Sequence, residues 1–125
     1  MNNEFIEEKV MTTVLFAIPL KKGKTDDFKA FVKECLGPKS EDYSDLLLRY
    51  NLNSFQMWIH TIADKDYVIF THDMGNDAKK RLEGWLTSTH PFDQWFNQQL
   101  EDCYELDSMD NLPSQPEFIG ELGAK

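Results

Sequence analysis

Apolar and polar residues follow one another along the chain in patterns that distinguish strands from helices. The β-rich run TVLFAIPL at positions 13–20 stops at the polar stretch 21–24 and predicts a first strand. Thr25 suits the N-cap of a following helix, because a threonine hydroxyl can accept a hydrogen bond from a free backbone N–H. The apolar face of that helix repeats every three or four residues, at Phe28, Phe31, Val32, Cys35 and Leu36.

A second helix is predicted after Gly37-Pro38, starting at Ser40. Its apolar positions have the same spacing and are Tyr43, Leu46, Leu47 and Tyr50. Two strands follow at 54–62 (SFQMWIHTI) and 67–73 (YVIFTHD). A tight turn at Asp64-Lys65 would join these two strands as a hairpin.

The last part of the chain predicts two more helices and a short strand. Asn76 suits the N-cap of the first helix, whose inward positions are Ala78, Leu82, Trp85 and Leu86. Pro91 is placed for the first turn of the second helix, whose apolar positions are Phe92, Trp95, Phe96, Leu100 and Cys103. Residues 107–116 are polar and indicate a loop, and 116–122 (PEFIGEL) would form a last strand.

The resulting order, β-α-β-β-α-β, is the split β-α-β pattern of ferredoxin-like folds. It predicts an α+β domain with an antiparallel sheet and helices on one face. The length of 125 residues suits one domain. We therefore expect a single domain over residues 11–125, preceded by a tail at 1–10.

Charge is distributed unevenly and narrows the choice of partners. The net charge is −9, and residues 82–124 carry nine acids and no Lys or Arg. A polyanion would be repelled by this part, so nucleic acid and anionic membrane surfaces are not expected as partners. Two interpretations of the acidic third remain open, a solubilising surface and a dock for a basic partner.

Cysteine use and hydropathy indicate a cytoplasmic protein. Cys35 and Cys103 fall on the apolar faces of predicted helices, and no CxxC pair occurs, so both are expected to be buried and reduced. No run approaches the roughly 18 apolar residues of a membrane span, and the N-terminus lacks an apolar signal core.

The alternation of side chains between the two faces of the predicted hairpin indicates a candidate site. Side chains alternate between the faces of a strand, and a turn at Asp64-Lys65 would place His60 opposite Ile69. One face would then be apolar and suited to lie under the helices, with Phe55, Met57, Ile59, Val68 and Phe70. The other face would mix large apolar surface with polar groups, as small-molecule pockets do. It carries Gln56, Trp58, His60, Ile62, Tyr67, Ile69, Thr71 and Asp73.

The three histidines of the chain are predicted to have different roles. His60 is the candidate general acid or base, since histidine is the side-chain type suited to proton transfer near neutral pH; it would otherwise be satisfied by a neighbouring hydroxyl or backbone group. His90 would either cap the helix after it or reach the mouth of the pocket. His72 belongs to the apolar face and is expected to be structural. Because His60 and His72 point to opposite faces, no metal site is expected. The chain has no glycine-rich phosphate loop, so no cofactor is expected either.

Three segments resemble the dimeric α/β-barrel superfamily of ferredoxin-like domains, nearest to a branch of small bacterial domains of unknown function. They are PLKKGK, SFQMWIHTIADKDYVIFTHD and STHPFDQWFNQQLEDC, and the resemblance spans about residues 11–122. It implies a homodimer in which the helix-free sheet faces meet around a cavity. The pocket residues would then be Gln56, Trp58, His60, Tyr67, Thr71, Asp73 and His90.

The resemblance leaves three functions open. The superfamily includes stress-responsive barrel proteins, cofactor-independent antibiotic-biosynthesis monooxygenases and L-rhamnose mutarotases, the last two being small enzymes without a cofactor. The first interpretation is a domain that binds a small organic molecule, the second is one of these enzymes, and the third is a non-catalytic interaction protein. No motif in the chain selects among them, since a fold does not determine a function.

Overall fold

The computed structural model of the chain describes residues 13–52, 54–73, 78–107, 113 and 116–123. Its elements are strand β1 (Thr13–Pro19), helices α1 (Thr25–Leu36) and α2 (Ser40–Arg49), strands β2 (Ser54–Ile62) and β3 (Lys65–Asp73), and helices α3 (Ala78–Leu86) and α4 (Pro91–Cys103). The expected N-terminal tail, the cap at Asn76 and most of the loop 107–116 lie outside the described residues. The predicted α+β class is confirmed.

The sheet has β3 in its centre, with the strand order β1-β3-β2. Both pairings are antiparallel, and Val68 lies opposite Ile18 of β1 and Ile59 of β2. Helices cover the sheet face to which these three residues belong. Rings of that face contact helical rings, for instance Phe55 with Tyr43 at 6.4 Å between centroids. The opposite face carries the side chains at the positions in between.

The β2–β3 hairpin turns at Ala63 and Asp64, both with positive φ, 51° and 66°. Two such residues form the kind of turn whose twist matches that of a hairpin. The predicted turn at Asp64-Lys65 is therefore wrong by one residue. Each β2 residue consequently pairs with a β3 residue two positions earlier than predicted, and His60 lies opposite Tyr67 rather than Ile69. Because the side-chain period of a strand is two, the predicted division between the two faces is still correct.

Helix α1 differs from its prediction at both ends. It begins at Thr25, with Lys24 at the cap position and no side-chain cap. The Thr25 hydroxyl instead donates to Asp66 Oδ2 of β3 at 2.6 Å, so the predicted cap is wrong. Leu36 is 68% exposed rather than inward. It is the last helical residue before the C-cap Gly37.

The core lies between the covered sheet face and the helices. Its fully buried members include Ile18 and Val68 from the sheet and Leu46 from α2. Cys35 and Cys103 are both free and buried, as predicted. No helix in the described ranges is long and apolar enough to cross a lipid bilayer.

The chain directly after α4 runs beside the end of β1. Tyr104 forms an antiparallel bridge with Leu20, and the Glu105 N–H donates to the Pro19 carbonyl at 2.8 Å. The strand predicted over 116–122 is wrong: residues 116–123 form no strand, and all of them are exposed. A β-prone run becomes a strand only where it finds an edge with which to pair, and composition does not reveal that edge.

Candidate functional site

Six of the seven predicted site residues lie on one surface, the sheet face that points away from the helices. We call it the open face. Alternation places them there, since their neighbours Val68, Phe70 and His72 are buried on the covered face. The six residues are Gln56, Trp58, His60, Tyr67, Thr71 and Asp73.

Their register arranges them in rows across β2 and β3. Directly opposite residues have Cβ atoms about 4.5–5.5 Å apart, and successive rows on one face are about 7 Å apart. Three rows contain the pairs His60–Tyr67, Trp58–Ile69 and Gln56–Thr71. An apolar row with a large indole is thus flanked on both sides by a polar row.

The open face also exposes large apolar side chains. Trp58 is 51% exposed and Ile62 is 49% exposed, both on the edge strand β2. Tyr67 and Thr71 are less exposed than these two residues, because they lie on the central strand and have neighbouring side chains on both sides. A contiguous surface of this kind marks a binding or interaction site more often than ordinary protein surface.

His90 is the one predicted site residue that does not share this surface. It is the N-cap of α4, where its Nδ1 accepts a hydrogen bond from the Phe92 N–H at 3.2 Å. Its Nε2 lies 4.0 Å from Asp45 Oδ2 of α2, so the ring belongs to the helical layer. The capping interpretation of His90 is confirmed.

Sequence reasoning missed a buried carboxylate, Asp93, in the first turn of α4. Its side chain has no solvent exposure. Both Arg49 Nη atoms donate to it at 2.7 Å. Oδ2 also accepts from the hydroxyls of Tyr50 at 2.6 Å and Ser88 at 2.7 Å. We call these four residues the Asp93 cluster.

The hydrogen bonds of the cluster determine its charge. Burial alone would raise the pKa of the Asp93 carboxyl, but the bonds from Arg49, Tyr50 and Ser88 outweigh burial and hold that pKa below its ordinary value. The Asp93 hydrogen bond likewise raises the pKa of Arg49. Arg49 also donates through Nε to Asp45 Oδ2 at 2.8 Å. All three nitrogens of the Arg49 guanidinium thus donate to carboxylates, and the cluster connects α2 to α4 rather than offering a site to a ligand.

A second buried polar group, His72, lies between the sheet and α3. It is 1% exposed, and neither ring nitrogen has a hydrogen-bond partner. The indole Nε1 of the neighbouring Trp85 has none either. Beside both rings lies an apolar cavity of about 10 Å³, roughly the space of one water molecule. This space is too small for an organic ligand, and the predicted place of His72 on the helix-covered face is confirmed.

Among the described residues, the open face brings together an indole, an amide, hydroxyls, a carboxylate and an imidazole. In those parts of the chain no three His, Cys, Asp or Glu side chains converge to hold a metal ion. No family model, curated protein or solved structure matches this chain.

Proposed function

We propose that this protein is a homodimer of the dimeric α/β-barrel type that binds a small organic molecule between its two open faces. One observation carries the proposal: the half exposure of Trp58 and Ile62 on a sheet face that the helices leave uncovered. Their neighbours on that face are polar groups able to orient a ligand. Apolar area with a few convergent polar groups is the usual lining of a small-molecule pocket.

The strand order supports the ferredoxin-like part of the proposal. In that fold the sheet order is β4-β1-β3-β2, and the observed order β1-β3-β2 agrees with three of its four strands. The position of β4 is the outer edge of β1. The chain after α4 first meets that edge, through the Leu20–Tyr104 bridge.

Burial energetics support the dimer. Removing apolar surface from water is the dominant favourable contribution to most protein–protein association. Two open faces packed against each other would cover both Trp58 side chains and both Ile62 side chains. The arrangement is symmetric, as most homodimers are, because the same surface serves both protomers.

The rows on the open face favour a flat ligand with polar groups at its edges. Trp58 provides a stacking surface in the middle row. His60 and Tyr67 lie on one side of it, and Gln56 and Thr71 lie on the other. Since successive rows are about 7 Å apart, a single ring or sugar-sized molecule over Trp58 could reach both polar rows.

An enzymatic version of the same site has one observation in its favour. His60 lies directly opposite Tyr67, which brings an imidazole and a phenol together beside the indole. Such a pair suits proton transfer to a bound substrate, as a mutarotase or a cofactor-independent monooxygenase requires. Turnover of a bound compound that His60→Gln abolishes, while binding persists, would support this version.

Ligand screening by thermal shift tests the proposed pocket. Compounds that raise the melting temperature of the native protein should lose at least tenfold in affinity in Trp58→Ala and in His60→Ala. Leu48→Ala is the matched control, because Leu48 is an exposed apolar residue of α2 with 81% exposure. Binders that retain their affinity in both open-face variants would place the binding site elsewhere.

A further inference from the structure

Two apolar surfaces of this chain remain exposed to solvent in the described structure. One is the open face, with Trp58 and Ile62. The other is the segment 116–123, which we call the C-terminal arm. Its Phe118, Ile119 and Leu122 are 44%, 91% and 100% exposed.

Leu122 and Ile119 of the arm leave Trp58 and Ile62 of their own chain uncovered, since Leu122 is fully exposed, Ile119 is 91% exposed, and Trp58 and Ile62 are each about half exposed. An extended segment with three large apolar side chains in water is unfavourable unless another surface accepts them. The acceptor that we consider is therefore a surface of another molecule.

The size of the open face indicates which molecule that is. Three strands about 4.8 Å apart, with nine residues at about 3.3 Å each, give a surface of roughly 400 Å². A stable protein interface covers about 800 Å² per partner. An open face alone falls short of this area, even when the area of its protruding side chains is added. Additional apolar surface from each chain would complete the interface.

The position of the arm allows it to supply that surface. The chain leaves α4 at Tyr104, beside Leu20 at the end of β1, which is the end of the sheet where the β2–β3 hairpin turns. Between Glu105 and Phe118 the chain can span at most about 45 Å, at 3.3–3.6 Å per residue. This is enough to pass the sheet edge and cross the face of a partner about 30 Å long.

We infer that the C-terminal arm of each protomer packs along the edge strand β2 of the open face of a second copy of this chain. The inference rests on the proposed homodimer and adds the element that completes it. Phe118, Ile119 and Leu122 of one chain contact the exposed Ile62 at the margin of the other chain's open face, leaving Trp58 to the pocket, and the two arms are exchanged symmetrically. The mouth of the proposed pocket is then formed by both chains.

Sedimentation velocity over a range of concentrations tests the exchange. The variant Phe118→Ser/Ile119→Ser/Leu122→Ser should raise the dimer dissociation constant at least tenfold. The matched control is Leu36→Ser/Leu48→Ser, which removes exposed leucines from α1 and α2 and should change that constant less than threefold. All five positions are exposed, so both variants are expected to fold, which circular dichroism would verify.

The outcomes separate this inference from the proposed function. A dimer of unchanged affinity in the arm variant would overturn the arm exchange and leave the sheet-to-sheet dimer standing. A native protein that stays monomeric throughout would overturn both. A loss of affinity in the arm variant alone supports both.

Disulfide trapping tests the contact itself. Chains with Ile119→Cys and chains with Ile62→Cys, carrying different tags, are mixed and oxidised; Cys35 and Cys103 are each 3% exposed and should stay unreacted. A disulfide between the two kinds of chain is expected, at least tenfold more abundant than with Leu48→Cys in place of Ile119→Cys. Equal yields from the two pairs would overturn the inference, as would a chain carrying both cysteines that closes the bond only within itself.

Discussion

His72 lies among aromatic rings, with centroid distances of 4.3 Å to Phe55, 5.0 Å to Phe70 and 5.6 Å to Trp85. No described charged group bonds to it, and burial lowers its pKa from 6.5 to about 4. A charged imidazole there would lose its hydration without gaining a hydrogen bond or an ion pair. His72 is therefore neutral in the folded protein at neutral pH and charged in the unfolded chain below pH 6.5.

This difference makes stability depend on pH in a defined window. The folded-state pKa is the lower one, so between pH 6.5 and pH 4 the unfolded chain binds a proton that the folded protein does not. The free energy of unfolding should therefore fall by up to about 1.4 kcal/mol per pH unit as the pH decreases, in total about 3 kcal/mol. Urea unfolding at a series of pH values measures this loss.

Two variants assign the loss to His72. His72→Phe removes the titrating group and should flatten the profile between pH 6.5 and pH 4, whereas His60→Gln on the open face should leave the slope in place. Asp93 acts in a lower window: its folded pKa is depressed, so its contribution is lost only as the pH falls below about 4. An unchanged slope in His72→Phe would refute the account of His72.

The Asp93 cluster holds three parts of the helical layer together. Arg49 and Tyr50 lie at the C-terminal end of α2, Ser88 lies between α3 and α4, and Asp93 lies in the first turn of α4. A carboxylate near a helix N-terminus also interacts favourably with the helix dipole. The charges are paired and bonded, which is the condition under which a buried ion pair is tolerated.

Removing one partner of that pair should lower the stability of the fold. In Arg49→Met the Asp93 carboxylate stays buried without its two strongest donors, and we expect a loss of about 3–5 kcal/mol in the free energy of unfolding. Chemical denaturation measures this loss. Asp45→Asn, which removes only the 55% exposed partner of Arg49, should cost less than about 1 kcal/mol. Equal losses in the two variants would contradict the role assigned to the cluster.

The strands and their faces were predictable because alternation is a local signal. Strand β2 has the bounds that its sequence predicts, and the residues assigned to the covered face, such as Phe55 and Val68, lie on it. The exact pairing was not predictable. Ala63 carries no turn signal, yet it adopts positive φ together with Asp64 and so moves the turn by one residue.

Contacts between distant parts of the chain could not be predicted from the sequence pattern. Asp93 meets Arg49 across a separation of 44 residues, and an acid in the first turn of a helix predicts only a dipole interaction. The segment 116–122 resembles a strand only through Phe118 and Ile119, whose residue types favour strands, and its side chains are exposed. The six sheet residues of the candidate site were correctly placed on one face because they obey one alternation, whereas His90 is the N-cap of a helix.

As a whole, the molecule combines an open face that exposes Trp58 and Ile62 with a net charge of −9. Two such chains repel each other, although salt at physiological strength screens exposed charges beyond about 8 Å. The apolar contact must outweigh this repulsion for a dimer to form. The open face, covered by a second copy, would then both close the pocket and remove its exposed apolar surface from water.

Light scattering of the native protein at micromolar concentration tests the central claim most directly. We expect a mass of twice the 14.6 kDa of one chain. Ile62→Glu, which places a charge on the open face, should give the mass of a single chain, whereas Leu48→Glu on α2 should not. A native mass of 14.6 kDa would contradict the dimer, and a dimer that Ile62→Glu leaves intact would contradict the open face as its interface.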